Sequence, residues 1–161
     1  MNRKRIMTGI LLFLVVLMVI FIFSNSLKSR DESKKDSDLV AGILGPILEW
    51  IFSGKIENVG FVVRKLAHFA EFCMLGLSVS GLLAVVDYSR KWWLCGYGLL
   101  FCLFIAVCDE FIQSFVGRGS AVSDVLIDFG GAASGFFALI ALIEIIKFIN
   151  NKKQYKKEKC Q

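Results

Sequence analysis

The sequence predicts an all-α polytopic membrane protein: a four-transmembrane-helix bundle with an interfacial or re-entrant helix between spans one and two. Three observations carry this reading. Hydrophobic residues make up 56% of the chain and its mean hydropathy is +0.65, too apolar for an ordinary soluble domain. A bilayer core needs about 20 mostly apolar residues per helix, and four runs supply them, at residues 6–23, 66–86, 92–115 and 125–148. No strand-like alternation of any length competes with these runs. A length of 161 residues suits one membrane domain over 1–161.

Charge sets the expected orientation. Arg3, Lys4 and Arg5 precede the first span, and Arg90 and Lys91 sit in the turn between the second and third. Lys147, Lys152, Lys153, Lys156, Lys157 and Lys159 follow the fourth, in a basic tail over 149–161. With four spans these three regions share one side, and the positive-inside rule puts them, and both termini, in the cytoplasm. The loop over 24–65 is then external, and Asp31, Glu32, Asp36, Asp38, Glu49 and Glu57 accompany its lysines. The tail reads as a topology determinant attracted to anionic lipid. No aromatic platform or fold motif accompanies its lysines, so nucleic acid is not an expected partner.

The first span resembles a signal peptide in having Ser24 and Ser26 behind an apolar run. That run is longer than a typical h-region, and Phe21-Ile22-Phe23-Ser24-Asn25 lacks a clear small-residue cleavage site, so a retained anchor is expected. The charged, Ser-rich stretch from Lys28 to Asp38 reads as a flexible linker. Over 39–52, Leu39, Ile43, Ile47 and Ile51 repeat every four residues beside Val40, Leu44, Leu48 and Phe52. This segment is too short to span. Two placements fit: a helix in the outer interface with Trp50 at headgroup level and a kink near Pro46, which is favoured, or a re-entrant segment that roofs the polar residues. Ser53 to Phe61, with Gly54 and Gly60, returns the chain to the second span.

The second span opens with Arg64-Lys65-Leu66-Ala67-His68-Phe69-Ala70-Glu71 and holds the only histidine of the chain. At 3.6 residues per turn Arg64, His68 and Glu71 share one face, with Lys65 beside them. In the proposed topology Asp109, Glu110 and Gln113 end the third span on the same side. Gly117-Arg118-Gly119-Ser120 turns outside, and the fourth span begins there with Ser120 or Ser123 as its N-cap. Asp124 and Asp128 lie one turn apart on a face that continues into Gly131 and Gly135, small residues that let membrane helices approach closely. That face is expected to pack inside the bundle. All the costly polar groups therefore meet near the outer headgroup boundary, and ionisable groups inside a membrane protein point to a functional site.

The residue types suggest the chemistry. Arg64, Lys65 and Arg118, with the N-terminus of the fourth helix, suit an anionic ligand such as a lipid phosphate or a carboxylate. Gln113, Ser123 and Asp124 complete the candidate ligand-binding set. His68 can serve as acid or base. Glu71, Asp109, Glu110 and Asp128 can orient it, hold the cations or bind a divalent metal, which the set permits without requiring. A single histidine excludes a pure histidine zinc site and leaves a mixed one open. No G-x-S-x-G elbow supports a nucleophilic Ser120 or Ser123. The plain alternative is that pairs such as Arg64–Asp109, Lys65–Glu110 or Arg118–Asp128 only fix helix register. Cys73, Cys95, Cys102 and Cys108 read as apolar filler inside spans and Cys160 as a reduced thiol in the tail, so no disulfide framework is expected.

Lys65-x-x-His68-Phe69-x-Glu71-Phe72, then Asp109-Glu110-x-x-Gln113, then Arg118-x-x-x-x-Ser123-Asp124-Val125-x-x-Asp128-x-x-Gly131, resembles the VanZ-like membrane protein family. The resemblance covers the last three spans, roughly Arg64 to Phe137, and the Ser24-Asn25-Ser26 exit from the first span is similar in style. Phe72 departs from a tyrosine common in the family, which removes a hydroxyl from the edge of the site. The resemblance implies a bacterial plasma-membrane protein and, through the family's namesake, a link to low-level resistance to teicoplanin, a lipoglycopeptide carrying an acyl chain. Two functions follow as expectations. One is recognition, at the outer leaflet, of the anionic headgroup of membrane lipids or of a lipid-linked cell-wall intermediate. The other is intramembrane hydrolysis or transfer on a phospholipid or polyprenyl phosphate. A transporter is disfavoured by the apolar inner half of the spans and the lack of an inverted repeat.

Overall fold

A computed structural model describes residues 3–51, 58–86 and 92–158 of the chain. They form five helices: α1 (Arg3–Ser26), α2 (Arg30–Ile51), α3 (Val59–Val86), α4 (Trp92–Phe115) and α5 (Val122–Glu158). Among the described residues, α1, α3, α4 and α5 are long and apolar enough to cross a membrane. They are hydrophobic nearly all round, as helices facing both neighbours and lipid must be. Phe13, Phe104 and Phe111 are more than half exposed on the outward faces. Arg90, Lys91, Lys159, Cys160 and most of the 53–61 return lie outside the described residues.

Helix α3 is the centre of the bundle and touches every other helix. Its apolar core residues Phe72, Leu75 and Val79 pack with Val15 and Ile22 of α1, Cys102, Ile105 and Ala106 of α4, and Ala132 and Phe136 of α5. The α3–α5 seam is the closest. A side chain at Gly131 would overlap the Phe69 carbonyl, one at Gly135 the Cys73 carbonyl, and one at Gly76 the Ala132 carbonyl. Glycine at these three positions lets the two backbones meet, the small-residue packing expected of the fourth span.

Helix length explains how a polar site fits at one end. The 28 residues of α3 make about 42 Å at 1.5 Å per residue, against a hydrocarbon core of about 30 Å. One end therefore reaches the headgroup layer. At the other end Lys4 Nζ donates to the Val86 carbonyl at 3.0 Å, tying the start of α1 to the end of α3.

The stretch from Lys28 to Asp38 is not a flexible linker. It forms the first turns of α2, nine residues before the 39–52 segment. Ser29 and Glu32 make a reciprocal cap: Ser29 N–H and Oγ donate to Glu32 Oε2 at 2.9 and 2.8 Å, and Glu32 N–H donates to Ser29 Oγ at 3.3 Å. Asp31 and Glu32 also place negative charge in the first turn, where the helix dipole favours it. The helix runs unbroken through Pro46. Leu39, Ile43 and Trp50 face outward at 70%, 69% and 83% exposure, so these three members of its apolar stripe are not turned into the bundle. The side chains of Leu44, Ile47, Leu48 and Ile51, and all of Phe52, lie outside the described residues. Against α3, α2 lies at the polar end, with Gly45 beside Val59 and Asp38 beside Gly60.

Candidate functional site

Four chain segments bring polar side chains to one level: the end of α1, the start of α3, the end of α4 with the turn after it, and the start of α5. His68 is at their centre. Its Nδ1 lies 3.8 Å from Asp109 Oδ2 and 3.9 Å from Asp128 Oδ1, and its Nε2 lies 3.5 Å from Arg118 Nη2. Asp109 and Asp128 are almost wholly buried, at 0% and 1% exposure. Such burial of a carboxylate is costly unless neighbours compensate it. Asp109 is compensated: Gln113 Nε2 donates to Oδ2 at 2.7 Å, one turn along α4, and Ser26 Oγ donates to Oδ1 from α1. Asp128 Oδ2, His68 Nδ1 and Glu71 Oε2 are buried without a hydrogen-bond partner.

Arg118 reaches the site because of how α4 ends. Gly117 has φ 73°, a left-handed conformation that suits glycine, and Arg118 N–H bonds back to the Gln113 carbonyl at 3.2 Å. This glycine-terminated motif reverses the chain after one residue. The guanidinium is thereby buried beside His68 and donates from Nη1 to the Asn25 carbonyl at 3.3 Å. Burial, and next the charge of Arg64, pull its pKa down, while Asp109, Glu110 and Glu71 push it back up. An arginine remains charged under such opposing influences.

Helix α5 is capped differently from the expectation. Neither Ser120 nor Ser123 is its N-cap. Ala121 holds that position, its carbonyl accepting from Asp124 N–H at 2.9 Å, while its own N–H donates to Glu110 Oε2 at 3.1 Å. A carboxylate of α4 thus serves the start of α5. Both serines are exposed, and Ser123 Oγ bonds Asp124 Oδ1 at 3.1 Å rather than facing the site.

The ion pairs also differ from those anticipated. Lys65 pairs with Asp124, not with Glu110. Asp109 is held by Ser26 and Gln113 rather than by Arg64, and Arg118 turns to Asn25 and His68 rather than to Asp128. Arg64 stacks over Phe61, its guanidinium carbon 5.6 Å from the ring centroid. Glu71 accepts from Asn25 Nδ2 at 2.9 Å. The eleven candidate site residues therefore do gather, with Ser123 at the rim, but with help from partners on α1 that spacing within the three motifs does not reveal. Asn25, Ser26 and Arg30 are the unexpected contributors. Their available signals were a polar pair closing an apolar run, and the Ser29-x-x-Glu32 box that makes Arg30 helical.

Two cavities flank His68. A polar recess of about 110 Å³ is lined by cations Arg30, Arg64, Lys65 and Arg118, with Asp124 and Asp128 among its acids. On the opposite side, a groove of about 570 Å³ runs between α1, α2 and α3, with Phe21, Val40, Val63, Leu66 and Ala70 on its apolar walls. Arg64, His68 and Arg118 line both. The recess has room for several waters or one compact anionic group, and the groove falls within the size range of small-molecule ligand sites.

The family model described as VanZ/LLP1 matches residues 11–147 of the chain. No curated protein and no solved structure matches it.

Proposed function

Because the chain belongs to the VanZ/LLP1 family and joins a cationic recess to an apolar groove, we propose that it recognises an anionic lipid headgroup or a lipid-linked cell-wall precursor. The observation that carries this is the shared wall. Arg64, His68 and Arg118 border both cavities, so an amphiphile can place its charged group among the cations and its chain in the groove. Sidedness follows from the positive-inside rule: the basic ends lie in the cytoplasm of a bacterial plasma membrane, and the site opens at the outer leaflet. In that position the protein competes for, or masks, the envelope lipid that an acylated glycopeptide such as teicoplanin needs, which is how it contributes to resistance.

A second reading rests on a specific contact, His68 Nε2 facing the Arg118 guanidinium. A guanidinium only donates, so this contact places the imidazole proton on Nδ1, toward Asp109 and Asp128. His68 then has a basic Nε2 beside the recess and a proton on Nδ1 that faces two carboxylates without bonding either, a candidate base for hydrolysis or transfer on a phospholipid or polyprenyl phosphate. Glu71 and Glu110 set the positions of their partners Asn25 and Ala121.

Binding of short-chain phosphatidylglycerol and of short-chain phosphatidylcholine to the purified chain in detergent micelles tests both. A charge-assisted contact contributes about 1.5–3 kcal/mol, so Arg118→Ala or Lys65→Ala should weaken binding to the anionic lipid by roughly ten- to hundredfold. His68→Gln should be partly tolerated. If the variants bind as the wild type does, or if both lipids bind equally, headgroup recognition fails. Loss of turnover with binding intact in His68→Gln would select the enzymatic reading.

A further inference from the structure

We propose that His68, Asp109 and Asp128 form a binding site for one divalent transition-metal ion, a use of these residues independent of the headgroup reading. One ligand atom from each residue lies within 4.8 Å of the other two. The His68 Nδ1 distances of 3.8 and 3.9 Å to the two carboxylates are too long for hydrogen bonds. They are close to the roughly 3.4 Å that separates two ligands of a tetrahedral ion with bonds of about 2.1 Å. Side-chain adjustment that draws the two carboxylates together closes the set.

The independent pointer to a ligand is the pair of atoms left without partners. Asp128 is 1% exposed, and its Oδ2 has no hydrogen-bond donor; His68 Nδ1 is likewise buried and unbonded. Native proteins seldom leave such atoms unsatisfied. Two buried carboxylates beside an unbonded imidazole nitrogen lack a cation at that point, since the cations of the site are engaged elsewhere: Lys65 on Asp124, and Arg118 on the Asn25 carbonyl. An ion between the three residues supplies a partner to His68 Nδ1 and a countercharge to both carboxylates. The outer partners are also in place. Ser26 donates to Asp109 Oδ1 and Gln113 to Oδ2, the oxygen nearer His68, and such outer hydrogen bonds orient a ligating carboxylate.

The donor set selects the ion class. One imidazole with two carboxylates suits zinc, manganese or iron(II), whereas calcium and magnesium prefer oxygen alone. The remaining coordination positions face the recess, where a phosphate or carboxylate oxygen or water can enter. The metal and the proton of the second functional reading compete for Nδ1. A bound ion forces the proton onto Nε2, and Arg118, only 3.5 Å from that nitrogen, then draws back toward Asn25.

The chain has a single histidine, so histidine-selective ¹⁵N labelling reports on this site alone. The untagged full chain, in detergent micelles after chelation, is titrated with Zn²⁺ by NMR and with Mn²⁺ by electron paramagnetic resonance. The expected results are one Mn²⁺ per chain, an Nδ1 resonance moving to the metal-bound range with Zn²⁺, and a proton on Nε2. Asp128→Asn should weaken Mn²⁺ at least tenfold, and Glu144→Gln, at the far end of α5, should leave it unchanged. An Nδ1 resonance unmoved at saturating Zn²⁺ overturns the proposal, whatever the variants do. So does Mn²⁺ binding of equal strength in folded Asp128→Asn.

Discussion

At the scale of single residues, the site depends on α1 as much as on the three motifs. Ser26 and Gln113 together hold Asp109 in a water-poor position. Removing one donor from a buried acceptor costs about 1–3 kcal/mol. Ser26→Ala should therefore lower the unfolding free energy by that order, measured by denaturant titration in micelles, while Ser24→Ala on the exposed side should change it little. The motif residues were legible because charges inside apolar runs are conspicuous. Asn25 and Ser26 were not, since a polar pair at the end of a span looks the same whether it meets water or another helix. The guessed ion pairs failed for a related reason: spacing fixes the depth of a side chain but not which neighbour faces it. Lys65 accordingly meets Asp124 of α5 where Glu110 of α4 had seemed as close.

At the scale of helices, composition displayed the four spans directly, because a bilayer demands apolar length. The start of α2 could not be seen that way. Residues 28–38 have the composition of a solvated linker, and helix formation there depends on the Ser29–Glu32 cap and on docking against α3. Contact with Ser29 holds the Glu32 carboxyl below its ordinary value of 4.5. A depressed carboxylate stabilises the fold above its unfolded pKa and loses that contribution as pH falls through the folded one. The protection factors of amides in the first turn of α2, with the intrinsic pH dependence of exchange divided out, should thus be high at neutral pH and fall below about pH 4.5. Ser29→Ala should weaken that pH dependence without removing it, because the Ser29 backbone N–H still donates to Glu32. The α3–α5 seam gives a sharper contrast. Gly131→Ala drives a methyl into the Phe69 backbone, whereas Gly130→Ala meets nothing within 4 Å. The first should destabilise by about 1–3 kcal/mol or more and the second should be near neutral, as read by thermal unfolding in micelles.

At the scale of the whole molecule, the helices alternate in direction so that four polar ends coincide. Ser26 closes α1, Arg64 to Glu71 open α3, Asp109 to Gln113 close α4, and Asp124 and Asp128 open α5. The opposite ends carry Arg3, Lys4 and Arg5 and the Lys-rich extension of α5. In the proposed orientation the charge bias of those ends puts the recess at the cell exterior, and the recess with its neighbouring groove is the proposed seat of an amphiphile. Gly119 lines the recess, and a side chain added there meets nothing within 4 Å. It is the position from which to interrogate both statements at once. In a cysteine-free background, Gly119→Cys should react with a membrane-impermeant maleimide applied to intact cells. In the reconstituted protein, phosphatidylglycerol but not phosphatidylcholine should slow that reaction. Labelling that requires permeabilised cells, or that is indifferent to the anionic lipid, would contradict the account.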